Sequence, residues 1–193
     1  EIPISVITDF PNHPYKVKDD DGMNELVESI KTRGLIQPVL VRPIDDGKFE
    51  MVSGHRRKRA FEIAGIEKIS ARVQELTRDE ATLAMVDSNL QREEILPSEK
   101  AFAYKMRLDA MKRQGQRTDL TSVPLAQKSK TSRELLGEKV GESQDQVRRY
   151  IRLTNLISPL LKLVDEKQIA MRPAVELSYL SEDAQKWVFE AIE

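Results

Sequence analysis

Six consecutive residues, Gly54, His55, Arg56, Arg57, Lys58 and Arg59, put a backbone break beside concentrated charge in the run VSGHRRKRA. That pattern suits a phosphate. A glycine lets backbone approach an anion closely, free amides at a helix start point toward it, and the helix dipole favours it. Arg56 and Arg57 add charge-assisted hydrogen bonds. Cations at a helix start are electrostatically unfavourable alone, and a nearby anion would resolve the conflict. No Gly-x4-Gly-Lys-Ser/Thr run is present, so this is not a P-loop. The plain alternative is a basic helix end on a surface.

A second constellation lies in TSRELLGEKVGESQDQVRRYIRLTNL, Thr131 to Leu156. Two capping boxes, Thr131 with Glu134 and Ser143 with Gln146, start two helices around the turn at Gly141. This is the helix-turn-helix layout over about 131–154. At about 100° per residue, Val147, Tyr150 and Ile151 fall on one side of the second helix. Asp145, Arg148, Arg149 and Arg152 fall on the other. Arginine suits phosphates and guanine edges, and recognition helices read bases from their N-terminal residues. The candidate DNA contacts are Ser143, Gln144, Arg148, Arg149 and Arg152, with Lys128 and Lys130 from the preceding basic segment. Glu142 stands where such motifs usually prefer an apolar residue. An ordinary helical hairpin with a charged outer face is the alternative.

The elements that must hold these residues follow from periodicity and breakers. Residues 1–15 read as extended, and Asp19–Gly22 as an acidic turn. A helix is expected over 23–33, with Leu26, Val27 and Ile30 inward and Gly34 as its stop. Pro38–Pro43 and Lys48–Ser53 form a hairpin across Asp45–Gly47. A helix from His55 to Ala64 and a strand over 69–73 follow. Thr77 and Glu80 form a capping box for the next helix. Pro97 opens a long helix to about Gln114, with Phe102, Met106 and Ala110 repeating every four residues. The fold class is α+β: a small mixed α/β N-terminal domain, 1–92, then an all-helical domain, 93–193.

The 193 residues are 33% charged and 5% aromatic, which makes the core aliphatic, and the net charge is −1. From Lys105 to Arg133 there are eight Lys/Arg against two Asp, so the middle is strongly basic and suits an anionic partner. No cysteine excludes thiol chemistry and disulfides, and two histidines cannot build a metal cluster alone. No apolar run approaches the roughly 20 residues of a membrane span. A soluble cytoplasmic protein is the expectation.

Three segments in order resemble the ParB/Spo0J family of chromosome and plasmid partition proteins: LVESIKTRGLIQPVLVRP (26–43), GHRRKRA (54–60) and SNLQREEILPSEKAFAY (88–104). The resemblance implies a CTP-binding, Mg²⁺-assisted clamp on double-stranded DNA at a parS-like site. It implies a nucleoid-associated homodimer and a partition ATPase as partner. In that picture Gly54, His55, Arg56 and Arg57 form the nucleotide site, Gln37 lines the same pocket, and Asn89 lies beside the phosphates and metal. His55 and Ser88 replace glutamates that the family usually carries. A serine hydroxyl is a weak Mg²⁺ ligand beside a carboxylate, and Asp87 points about 100° away from position 88. Nucleotide binding with slow or absent hydrolysis is the expectation. Two other functions fit the residues: a site-specific regulator or mobile-element accessory protein with a degenerate nucleotide pocket, and an enzyme acting on phosphates through Arg56 and Arg57. The last lacks a carboxylate cluster for two metals.

Overall fold

A computed structural model describes residues 1–90, 92, 94–118 and 132–192. The chain divides into two compact units, Glu1–Asn89 and Leu90–Glu193. The first is mixed α/β and the second helical, so the fold is α+β.

The first unit begins with β1 (Ile2–Pro3), a 3-10 turn and β2 (Ile7–Thr8), then α1 (Asp21–Arg33). The segment expected to be extended is thus two short strands broken by a turn. Next come β3 (Val39–Pro43), β4 (Phe49–Ser53), α2 (His55–Ile63), β5 (Lys68–Ile69), β6 (Ala71–Val73) and α3 (Arg78–Asn89). β3 and β4 form the expected antiparallel hairpin, with Val41 opposite Met51 and Arg42 opposite Glu50. β2 and β6 join it in parallel on either side, giving the order β2-β4-β3-β6, and β1 pairs with β5 as a separate ribbon.

Alternation decides which face of the hairpin is buried. Val39, Val41 and Met51 meet Val27 and Ile30 of α1 and Ala60 and Phe61 of α2 in one core. Asp20 caps α1, its side chain accepting from the Met23 amide at 2.9 Å. The Thr77–Glu80 capping box forms as expected: Glu80 accepts from the Thr77 amide at 2.8 Å, and Thr77 Oγ1 from the Glu80 amide at 3.3 Å. Glu50, buried on β4, takes Arg42 at 2.8 Å and Arg78 at 2.7 Å, which ties α3 to the sheet.

The second unit contains α4 (Pro97–Thr118), α5 (Ser132–Val140), α6 (Gln144–Arg152), α7 (Ser158–Asp165), α8 (Met171–Leu177) and α9 (Glu182–Ile192). On α4 the buried line is Ala101, Tyr104 and Leu108, and Phe102 is 40% exposed. Of the four-residue repeat Phe102, Met106 and Ala110, Ala110 is fully buried while Phe102 is not, for a geometric reason. Four residues turn the helix about 400°, so such a line drifts about 40° per step. The mixed three-and-four spacing stays on one side. Asp165 at the end of α7 caps α4, accepting from the Ser98 amide at 2.9 Å and the Ser98 hydroxyl at 2.6 Å.

Candidate phosphate site and helix-turn-helix

β4 runs into Gly54, and α2 begins at His55. Gly54 sits at φ 111°, a left-handed conformation that glycine adopts without penalty. A Cβ there would lie 2.6 Å from Val39 Cγ1, so only glycine lets the turn close onto β3. The first-turn amides of α2 have no acceptor within the helix.

The basic side chains at this turn are each held by the chain's own oxygens. Arg57 donates to the backbone carbonyls of Gln37 at 2.6 Å and Pro38 at 3.0 Å. Burial there pushes its guanidinium below the ordinary range. Arg56 grips Asp20 with both nitrogens, at 2.9 and 3.4 Å. Arg59 grips Asp19 likewise, at 2.6 and 3.1 Å. Lys58 reaches Asp9 at 2.7 Å. The sequence places a cluster of cations where a helix dipole disfavours them; the fold answers with three carboxylates from the first 20 residues.

His55 packs against a second imidazole. Its ring lies on that of His13, centroid to centroid 3.7 Å, and its Nε2 is buried without a hydrogen-bond partner. Desolvation, then His13 and Lys58, lower its pKa to about 3, against the opposing pull of Asp9. The imidazole is therefore neutral. It lines a cavity of about 160 Å³ with Asp9, His13, Val17, Lys58, Arg59 and Glu62.

Gln37 joins the group through its carbonyl; its side chain is exposed. Asn89 does not join it. Its amide donates to Met85 O at 2.9 Å and lies 3.3 Å from Ser88 Oγ, so it caps its own helix. Ser88 spends its hydroxyl on Met85 O at 2.9 Å. Among the described residues no group of three or more His, Asp or Glu is placed to hold a metal.

In the second unit, α5, a three-residue turn and α6 form the helix-turn-helix. Ser143 is spent as the cap of α6, accepting from the Gln146 amide at 3.1 Å. Val147 is fully buried with Tyr104 and Leu136, and Tyr150 and Ile151 pack around them, as the helical angles require. Gln144, Arg148 and Arg149 are exposed. Arg148 and Arg149 form no ion pair among the described residues. Arg152, expected on the same outer face, is captured instead. It donates to Ser178 Oγ at 3.1 Å and Ser178 O at 2.8 Å, with its guanidinium 3.8 Å above the Tyr179 ring. Arg152 thus ties the end of α6 to the end of α8 through its Nε and Nη2. Thr131, Lys128 and Lys130 lie outside the described residues.

Glu142, the apparent mismatch after the turn, is half-buried against Lys100 at 2.8 Å. An apolar side chain is replaced here by a pair reaching from α4. Gly141 closes the turn at φ 69°, and Gly137 is needed beside it. A Cβ on Gly137 would meet the Glu142 carbonyl oxygen at 2.6 Å, and the Glu142 amide donates to Gly137 O at 3.0 Å. Residue spacing alone did not mark Gly137, Lys100, Ser178 or Tyr179. Asp19 and Asp20 were visible as an acidic run, read there only as a turn.

Two family models match in this order: the ParB N-terminal domain over residues 1–90 and the ParB HTH domain over residues 122–193. The chain belongs to the ParB/Spo0J family. A nucleoid occlusion protein of Listeria innocua is 35% identical over 188 residues, covering 96% of this chain and 59% of the relative. A probable chromosome 1-partitioning protein ParB of Deinococcus radiodurans is 33% identical over 179 residues, covering 93% and 55%. The chain thus spans about three-fifths of the length of the curated relatives it matches. Among solved structures, a C-terminally truncated chromosome-partitioning ParB of Caulobacter crescentus, complexed to the centromeric parS site, has a TM-score of 0.55 at 22% identity. It covers 99% of this chain and 91% of that one. A Pnob8-like ParB-N domain has a TM-score of 0.58 at 16% identity, covering 91% and 77%. Both share the ParB fold. No helix among the described residues is long and apolar enough to cross a membrane.

Proposed function

We propose that this ParB-family chain is a sequence-specific double-stranded DNA-binding protein. In this reading it acts at the nucleoid in partition or nucleoid occlusion, and a nucleoside triphosphate, CTP by family, adjusts its grip. The reading rests most on one observation: α6 of the helix-turn-helix presents Arg148 and Arg149 exposed and unpaired among the described residues, beside exposed Gln144. Arg148 and Arg149 suit phosphates or guanine edges, while Ser143, Val147 and Arg152 set the helix in place. A parS-like site, read by two copies as a homodimer, and a partition ATPase belong to the same reading.

The nucleotide half rests on the β4–Gly54–α2 turn. Phosphate oxygens would meet the first-turn amides of α2 and the guanidinium of Arg56. Mg²⁺ would arrive on the triphosphate, with phosphate and water as most of its ligands, and Asn89 can add at most one neutral oxygen. The uncharged His55 and the self-capped Ser88 offer no carboxylate to activate water, which supports binding without turnover.

Titration calorimetry with each nucleoside triphosphate and Mg²⁺, beside selection from randomised duplexes, tests both halves. Selective CTP binding together with one preferred DNA site is expected. Arg149→Ala should weaken DNA binding roughly tenfold or more and leave CTP binding unchanged; Arg56→Ala should do the reverse. One DNA site with no nucleotide binding would favour a regulator with a degenerate pocket, a reading that the internal pairing of Arg56, Arg57, Lys58 and Arg59 supports. No preferred site would overturn the DNA half.

A further inference from the structure

Arg56 and Arg59 lie three residues apart on one face of α2. Each is gripped by both oxygens of one of two consecutive carboxylates, Asp20 and Asp19. Two adjacent anions bridging two neighbouring guanidiniums is the arrangement that linked phosphates would make with the same side chains. We propose that the Asp19–Asp20 pair is an intramolecular stand-in for phosphate: a latch that occupies the arginines when no ligand is bound and must let go for a polyphosphate to enter. The proposal rests on the phosphate-site reading above and adds its regulation.

The latch is built to open. Asp19 and Asp20 are 52% and 46% exposed, and Arg56 and Arg59 are 34% and 44% exposed, so water competes for every partner and each pair is weak. Asp20 is also anchored, because the same Oδ1 that takes Arg56 caps α1 through the Met23 amide. Opening therefore releases the arginine while the carboxylate stays on its helix. A polyphosphate carries more charge than either aspartate and can take the first-turn amides of α2 as well, so it outcompetes them. Two consequences follow. Ligand affinity is reduced by the occupied fraction of the latch. Residues 19–20 and the start of α1 also sense whether the site is filled. Arg57 is outside the latch: its partners are backbone carbonyls of Gln37 and Pro38, so it holds the turn.

The test uses the whole chain and inorganic tripolyphosphate, then CTP with Mg²⁺, by calorimetry. Asp20→Asn keeps an α1 cap, since asparagine caps as well as aspartate, so Asp19→Asn/Asp20→Asn should fold normally. Asp21→Asn, which removes one such charge from a neighbouring carboxylate that has no ion pair among the described residues, is the control for the effect of charge alone, per carboxylate removed. The double variant is expected to bind both probes about three- to tenfold tighter than wild type, and Asp21→Asn less than twofold. In wild type, carbon-detected NMR titration of the Asp19 and Asp20 carboxyls should show both pKa values rising toward the ordinary range on saturation. Three results would overturn the latch: unchanged affinity in the double variant while wild type binds, equal tightening by Asp21→Asn, or carboxyl titrations indifferent to ligand. Failure of wild type and double variant alike to bind either probe would overturn the phosphate site itself, and the latch with it. Binding by the double variant alone would support both.

Discussion

Gly54→Ala is the sharpest test of how the β4–α2 turn is built. Two separate costs arise. Alanine at φ 111° carries about 1–2 kcal/mol of backbone strain. Its Cβ would also sit 2.6 Å from Val39 Cγ1 and 3.0 Å from Val39 Cβ, an overpacking worth about 1–3 kcal/mol. The sum, about 2–5 kcal/mol, is a large share of the stability of a small domain. Val39 is fully buried, so Val39→Ala alone costs about 1.5–3 kcal/mol. In the double variant the closest clash disappears, while the backbone strain remains. The pair should therefore be less destabilised than the sum of the singles by about 1 kcal/mol or more. Amide hydrogen exchange at Val41 and Met51, on the β3–β4 ladder, reads this unit directly. Fluorescence would not, since the chain's one tryptophan, Trp187, belongs to the second unit. Additivity within about 0.5 kcal/mol would refute the contact with Val39 as the reason for glycine. A Gly54→Ala loss below about 1 kcal/mol would refute the strain as well.

Stability should fall with acid through His55. Its folded pKa, about 3, lies below the ordinary 6.5, so the unfolded chain binds the extra proton between these values. The contribution is complete above about pH 6.5 and is lost as pH falls toward 3, about 2 kcal/mol being gone by pH 5. Urea melts from pH 8 to 5 check it, and His55→Asn should flatten that slope; an equal slope would be evidence against a neutral buried imidazole. Gly137→Ala should destabilise the helical unit by about 1–3 kcal/mol and weaken DNA binding, because its Cβ would strike the Glu142 carbonyl. Thermal melts by circular dichroism decide it: an exposed helical glycine would instead gain up to about 1 kcal/mol on becoming alanine, so a rise in melting temperature would count against the close approach.

Local signals in the chain were enough for most of the elements. Alternation across Pro38–Ser53 specified the hairpin, and the Thr77–Glu80 and Ser143–Gln146 spacings marked two helix starts. The angles of Val147, Tyr150 and Ile151 placed the inner face of α6. Each depends on residues within a turn or two of one another, where backbone geometry leaves few choices. The three motif segments carried the family for the same reason, since each is a short contiguous run.

What the chain alone did not decide is which charges meet. Arg148, Arg149 and Arg152 fall on one half of the helix by angle, yet Arg152 meets Ser178 and Tyr179, because α8 ends beside the last turn of α6. Arg56 and Arg59 are bound by carboxylates 36 and 40 residues upstream, and Glu142 is matched by Lys100 from another helix. A long charged side chain accepts many partners at little cost, so its choice is made by where the packed core brings the backbone. Sequence determined most of the elements and the family; tertiary packing decided which oxygens the arginines meet.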